Sequence, residues 1–164
     1  MKLNRKKGIE HKIVTSAPSI VAGAKVSLHK AVIAALDESP EPVSVVIATY
    51  SAGLAQVNEL AAHKNLKECI IYVDVSAPAR APRSMKRLYE FADVRLRYNH
   101  AKFAVVGDEL LIRGSCNYQE PRGHEFLETS VDSELAAYMI AAVESAPQNK
   151  SRQRNSSTHL GSGL

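Results

Sequence analysis

Between Tyr98 and Asn117 the chain reads Tyr-Asn-His-Ala-Lys-Phe-Ala-Val-Val-Gly-Asp-Glu-Leu-Leu-Ile-Arg-Gly-Ser-Cys-Asn. An imidazole, an ammonium, a guanidinium, a hydroxyl and an amide follow one another closely here, on His100, Lys102, Arg113, Ser115 and Asn117. Attack on a phosphodiester needs these types together: a nucleophile or base, fixed positive charge for the non-bridging oxygens, and neutral donors to complete the cradle. Taken singly, His-x-Lys and Gly-Ser-x-Asn are common structural pieces, so the chemistry rests on their joint spacing.

Two apolar runs, one ending at Val106 and one beginning at Glu109, flank Gly107 and Asp108, and Gly at the first loop position predicts a type II′ hairpin. In that register Lys102 faces Arg113, His100 faces Ser115 and Tyr98 faces Asn117. Strand period two then gathers His100, Lys102, Arg113, Ser115 and Asn117 on one side. Phe103, Val105, Leu110 and Ile112 take the other side for packing, and Cys116 points away from the reactive set.

The elements that must hold this hairpin are legible upstream. Residues 24–36 carry helical apolar spacing, and Pro40 and Pro42 forbid its continuation. The β-branched run 43–49 reads as a buried strand, 54–62 as a helix with Ser51 as cap, and 69–75 as a second buried strand. Strand, helix, strand is the βαβ unit, and it predicts an α/β fold with a mixed, largely parallel sheet flanked by helices. Residues 77–82 form a Pro-rich connection, 84–91 a short basic helix, and 94–98 a strand carrying Arg95 and Arg97. Leu135, Tyr138, Met139, Ala142 and Val143 stripe one helix face, with Asp132 as its cap.

The chain has 164 residues, a size suited to one domain. Residues 1–23 read as a basic N-terminal segment, 24–146 as the domain, and 147–164 as a disordered basic, Ser-rich tail. A net charge of +4 favours anionic partners. The basic clusters lie at 2–7, 80–87, 95–97 and 150–154; most such runs are solvated faces, though Arg95 and Arg97 could extend a phosphate track. No apolar run reaches the length of a membrane helix, so no membrane insertion is expected. Glu10, His11, Lys12 and Pro18 spoil the signal-peptide pattern at the start, and a cytoplasmic location is expected. The two cysteines suggest neither a disulfide framework nor a metal site. His11, His29, His63 and His159 lack partners at ligand spacing and are expected at the surface, and His124 among its glutamates reads as a solvated loop.

The motif residues resemble the phospholipase D superfamily, marked by H-x-K-x4-D-x6-G-S-x-N, with His100, Lys102, Gly114, Ser115 and Asn117 at the family's spacing. Glu128 stands eleven residues past the Asn, where the family often has a Glu. Gly107 occupies the place of the motif's Asp, so Asp108 is expected to serve the turn, and Phe126 stands where an Asn is usual. The resemblance spans roughly 43–144 and implies a phospholipase D-like α/β fold with a C-terminal β-hairpin carrying the active site. It also implies a two-step mechanism needing no metal or cofactor. His100 would form a phosphohistidine, and His100 of the partner subunit would protonate the leaving oxygen and activate water. Lys102, Ser115 and Asn117 would hold phosphate oxygens, and Glu128 would orient His100. One motif per chain implies a homodimer. The expected function is a nuclease of low sequence specificity, acting on DNA or RNA. The alternative is a non-catalytic nucleic-acid-binding or assembly protein that retains a degenerate phosphate site.

Overall fold

The computed structural model describes residues 19–148; the basic clusters at 2–7 and 150–154, and most of the tail, lie outside the described residues. The β-branched run Val43–Thr49 forms strand β2, Leu66–Asp74 forms β3 and Asp93–Arg97 forms β4, and these three run parallel. Phe103–Val106 (β5), Leu110–Gly114 (β6), Glu125–Val131 (β7) and Ser19–Gly23 (β1) each pair antiparallel with their neighbours. The seven strands lie in the order β1-β7-β6-β5-β2-β3-β4.

The sheet is therefore mixed, but not largely parallel: among the described residues only β2–β3 and β3–β4 are parallel strand pairs. The βαβ signal ends with β4. The link between β5 and β6 is far shorter than the dozen or so residues a parallel crossover needs, so those strands must turn back. Strand β1, Ser19–Gly23, also belongs to the sheet, pairing with β7. It is an exposed edge strand, so no burial pattern marks it in the sequence.

Helices Leu28–Glu38 (α1), Leu54–Ala61 (α2), Ala77–Arg80 (α3) and Pro82–Tyr89 (α4) lie on one face of the sheet, and Ser133–Glu144 (α5) lies on the other. The first layer buries Leu28, Val32 and Leu36 of α1, Val57 and Leu60 of α2 and Leu88 of α4 against Val45, Ile47, Ile71 and Ile112. The second packs Ala136 and Val143 of α5 on Tyr72, Phe103, Val105 and Leu111. Central strands covered on both faces explain the unbroken apolar runs at β2 and β3. Helix α1 begins at Leu28 because the Ser27 hydroxyl accepts from the Lys30 N–H. Gly53, not Ser51, is the N-cap of α2. The Pro-rich connection coils into α3 and α4, each with Pro in its first turn, where a missing N–H costs nothing. Asp132 caps α5 as expected, accepting from Leu135 N at 2.8 Å.

His29 departs from its expected place at the surface. It is buried, with Nδ1 3.1 Å from the Tyr118 hydroxyl and Nε2 2.7 Å from Glu59. Both partners come from distant parts of the chain, where local spacing cannot reveal them. Among the described residues no helix is long and apolar enough to cross a membrane.

Candidate active site

The β5–β6 turn takes three residues, 107–109, rather than two, with Gly107 at φ +66. Val106 consequently faces Leu110, and Phe103 faces Arg113. This is one residue away from the expected register, and a slip of one exchanges the two faces of a strand. Arg113 thus pairs with apolar Phe103, while Phe103, Val105 and Leu111 face α5 and Leu110 and Ile112 face the other layer. Strand alternation does not gather these side chains on one face, yet most of them still converge. They do so because the chain leaves the ladder: His100 and Lys102 precede β5, and Ser115 follows β6.

A hollow of about 520 Å³ opens there, lined by His100, Lys102, Arg113, Ser115 and Glu128, with Phe126 and Met139 as its apolar flank. The Lys102 ammonium lies 3.1 Å from Nδ1 of the exposed His100 ring and donates to the His100 carbonyl at 2.9 Å. An ammonium offers only donors, so Nδ1 accepts and the ring proton resides on Nε2. Burial pushes the Lys102 pKa below its ordinary 10.5, against the pull of the Glu125 charge. Among the described residues, the ion pairs do not include Lys102.

The other expected residues are differently placed. The Ser115 hydroxyl donates to the Glu125 carboxylate and accepts from Phe126 N at 3.1 Å. Glu128 lines the hollow, but Arg113 grips both its oxygens, Nε at 3.1 Å and an Nη at 3.0 Å, a bidentate pair that raises the Arg113 pKa. Asn117 lines a separate hollow of about 220 Å³ with Cys116 and Glu125. Its Oδ1 accepts from Tyr50 N at 3.2 Å and from the Thr49 hydroxyl at 3.4 Å, bracing the end of β2. Gly114 has a steric reason, because a Cβ there would collide with the Phe126 carbonyl of β7. Cys116 is buried, away from the large hollow.

Sequence reasoning missed four contributors: Tyr50, Asp74, Asn99 and Glu125. Buried Asn99 donates from Nδ2 to Tyr72 O at 3.2 Å and accepts from Ala101 N at 2.7 Å, which fixes the segment carrying His100. The Asp74 carboxylate accepts from Asn99 N at 3.4 Å and from Ser76 N at 3.0 Å. Burial raises its pKa, but the Ser76 hydroxyl and these N–H donors outweigh that and hold it below the usual carboxylate value. The signal was available: Thr49, Asp74 and Arg97 end the parallel strands, where open α/β sheets place their sites.

Arg95 and Arg97 supply no phosphate track. Arg95 binds Asp93 at 2.7 Å and Glu144 at 2.9 Å, and Arg97 binds Glu144 at 2.7 Å, so carboxylates neutralise both. Among the described residues no three His, Cys, Asp or Glu side chains gather as a metal site requires, the glutamates around His124 included.

Comparison with solved structures bears on this arrangement. A phospholipase D family member, Nuc from Salmonella typhimurium, superposes with a TM-score of 0.59 at 19% identity, over 78% of this chain and 93% of that one. The chain has the phospholipase D fold. NucT from Helicobacter pylori gives 0.57 at 15% identity, over 78% and 94%. TrmBL2, an archaeal chromatin protein that binds DNA, gives 0.50 at 15% identity, over 82% and 53%. No family model and no curated protein matches the sequence. Within the phospholipase D fold, the His100 hollow sits at the edge of the β5–β6 pair, on the α5 side of the sheet.

Proposed function

We propose that the chain is a phosphodiesterase of the phospholipase D superfamily, a nuclease of low sequence specificity that works as a homodimer. The observation that carries this reading is the Lys102 ammonium 3.1 Å from an exposed His100 ring, at a hollow that also holds Ser115 and Glu128. Nε2 of His100 in one copy attacks phosphorus, and the P–O bond to the leaving group breaks. His100 of the partner subunit gives its proton to that oxygen, leaving a phosphohistidine. The same partner imidazole then deprotonates water, which attacks phosphorus and releases His100. Lys102 and Ser115 hold the non-bridging oxygens, joined by the Asn117 amide once its NH2 turns from its separate hollow. The acid is the partner's imidazolium, a donor at both nitrogens, so its Nδ1–H turns from Lys102 to an acceptor. The nucleophile needs Nδ1–H turned the same way, a role for Glu128 once it leaves Arg113.

The dimer reading draws on apolar surface at the hollow and beside it: Phe126, 49% exposed, and Met139 of α5 line it, and Tyr138, 71% exposed, precedes Met139 on that helix. Nucleic acid as substrate draws on the charge of +4 and on the fold shared with a DNA-binding chromatin protein. A second reading, a binding module without turnover, is favoured by Arg113 holding Glu128 and by Glu125 holding the Ser115 hydroxyl.

Plasmid and single-stranded DNA incubated with the protein in EDTA separate the two. The enzyme cleaves both, and His100→Ala lowers the rate on the order of 10²–10⁴-fold while light scattering still reports a dimer. Absence of cleavage, with salt-sensitive binding that Lys102→Ala abolishes, selects the binding module. Cleavage that requires a divalent cation overturns the mechanism.

A further inference from the structure

We propose that Tyr50 is the positioning residue for the His100 imidazole, and that Arg80, seated on Asp74 and Ser76, clamps Tyr50 in place. His100 is exposed, and the hydrogen bond to its ring comes from Lys102 on the Nδ1 edge alone among the described residues. One contact at an edge leaves an imidazole free to turn about its side-chain bonds. The Tyr50 ring removes that freedom: its centroid lies 4.8 Å from that of His100, tilted by 52°, within the range of an aromatic pair.

Tyr50 is itself held from three directions. The Arg80 guanidinium stacks on its ring at 3.9 Å, and an Arg80 Nη donates to the Tyr50 carbonyl at 2.8 Å. Its N–H donates to Asn117 Oδ1 at 3.2 Å. Arg80 in turn donates from Nε to the Ser76 hydroxyl at 2.9 Å and lies 3.9 Å from Asp74, whose carboxylate also accepts from that hydroxyl and from Asn99 N. Asp74 therefore reaches His100 by two routes, through the backbone at Asn99 and through Arg80 and Tyr50. The Tyr50 hydroxyl takes part in none of the hydrogen bonds among the described residues, so the ring, not the phenol, does the positioning. Asn117 gains a second task, fixing the peptide from which that ring projects.

The kinetic consequence rests on the phosphodiesterase reading; the geometry does not. Two readouts on the full chain separate them. In proton NMR, the His100 ring signals, assigned by their loss in His100→Ala, carry a ring-current shift from Tyr50. Tyr50→Phe keeps that shift, Tyr50→Leu abolishes it, and Arg80→Gln reduces it. In cleavage assays Tyr50→Leu lowers kcat by about 10²-fold with little change in KM, as expected when a reacting group is misplaced by about an ångström, while Tyr50→Phe restores turnover. His100 signals unchanged in Tyr50→Leu overturn the proposal whatever the protein's activity. So does a Tyr50→Leu enzyme that turns over like the original. A chain that shows the spectral effects but never cleaves DNA retains the clamp and loses only the enzymatic reading. Should Tyr50→Leu fail to fold, surface Arg80→Gln decides alone, and an unaltered His100 spectrum there overturns the clamp.

Discussion

Two groups of cations stand near one another in sequence and have opposite fates. On β4, Arg95 and Arg97 meet Asp93 and Glu144, and every charge has a partner. A few residues on, Lys102 is partly buried and turns its ammonium to an imidazole edge and a carbonyl instead of a carboxylate. Withdrawing a cation from water costs free energy that a counter-ion ordinarily offsets. The arginines obey that rule and knit the edge of the sheet to α5. Lys102 breaks it, leaving positive potential available to an incoming anion. Of the two, it is the partly buried lysine without an ion pair, not the denser arginine cluster, that lines the His100 hollow.

The largest effect that tests the contrast is on catalysis. Lys102→Met should lower the cleavage rate by roughly 10²–10³-fold, the scale of losing one fixed donor to a developing charge. Its melting temperature should hold, since no ion pair among the described residues is broken. Because burial depresses the Lys102 pKa, the cation is lost on the alkaline side before pH 10.5, and the rate should fall there first. A variant that unfolds early yet keeps its activity would reverse the assignment. Next comes Arg97→Met, which should spare activity and cost about 1–3 kcal/mol in urea unfolding. That side chain is largely buried, donates to the Leu96 and Glu144 carbonyls at 3.0 Å each, and pairs with the Glu144 carboxylate.

How much of this was legible depends on the range of each signal. Strand β2 is marked by its own β-branched run, α5 by its apolar stripe and Asp132, and the His100–Asn117 motif by spacing alone. Strand β7 was not legible, since only Phe126, Leu127 and Val131 are apolar in it, and it joins the sheet by pairing with β6. The turn at Gly107 is one residue longer than the sequence indicates, because glycine permits φ > 0 in loops of either length. The hollow does not depend on that residue, since His100, Lys102 and Ser115 lie beyond the paired strands. The grip of Arg113 on Glu128, and the path from Asp74 to His100, are contacts between segments far apart in sequence, and local patterns carry no trace of them.

A smaller effect concerns the acid limb of stability. The Tyr72 hydroxyl and then Arg95 hold the Glu144 pKa at about 2, against an ordinary 4.5, with Arg97 adding to the pull. A carboxyl with a depressed folded pKa contributes stability that is fully present above pH 4.5 and is lost as pH falls from there toward 2. Glu144 is 42% exposed, so solvent screening keeps the contribution well under the full shift. Urea midpoints between pH 5 and 2 should fall less steeply in Glu144→Gln than in the parent. An equal slope in both would remove Glu144 from the account of β4.

The smallest effect separates the two arginines themselves. Arg95 contacts Asp93, 52% exposed and two residues away on the same strand, through Nε at 2.9 Å and an Nη at 2.7 Å. Both groups stay wet, and the pair must immobilise a long side chain, so Asp93→Asn should cost only about 0.2–1 kcal/mol, less as salt is added. Arg95 would keep Glu144 and the Tyr72 hydroxyl, with the guanidinium still 5.6 Å from the tyrosine ring. Combining Asp93→Asn with Arg97→Met therefore tests whether Glu144 joins the arginines into one network. Independent pairs predict additive losses. A shared carboxylate predicts coupling of about 0.5 kcal/mol or more, because Arg95 freed from Asp93 can turn further toward the Glu144 that Arg97 has left.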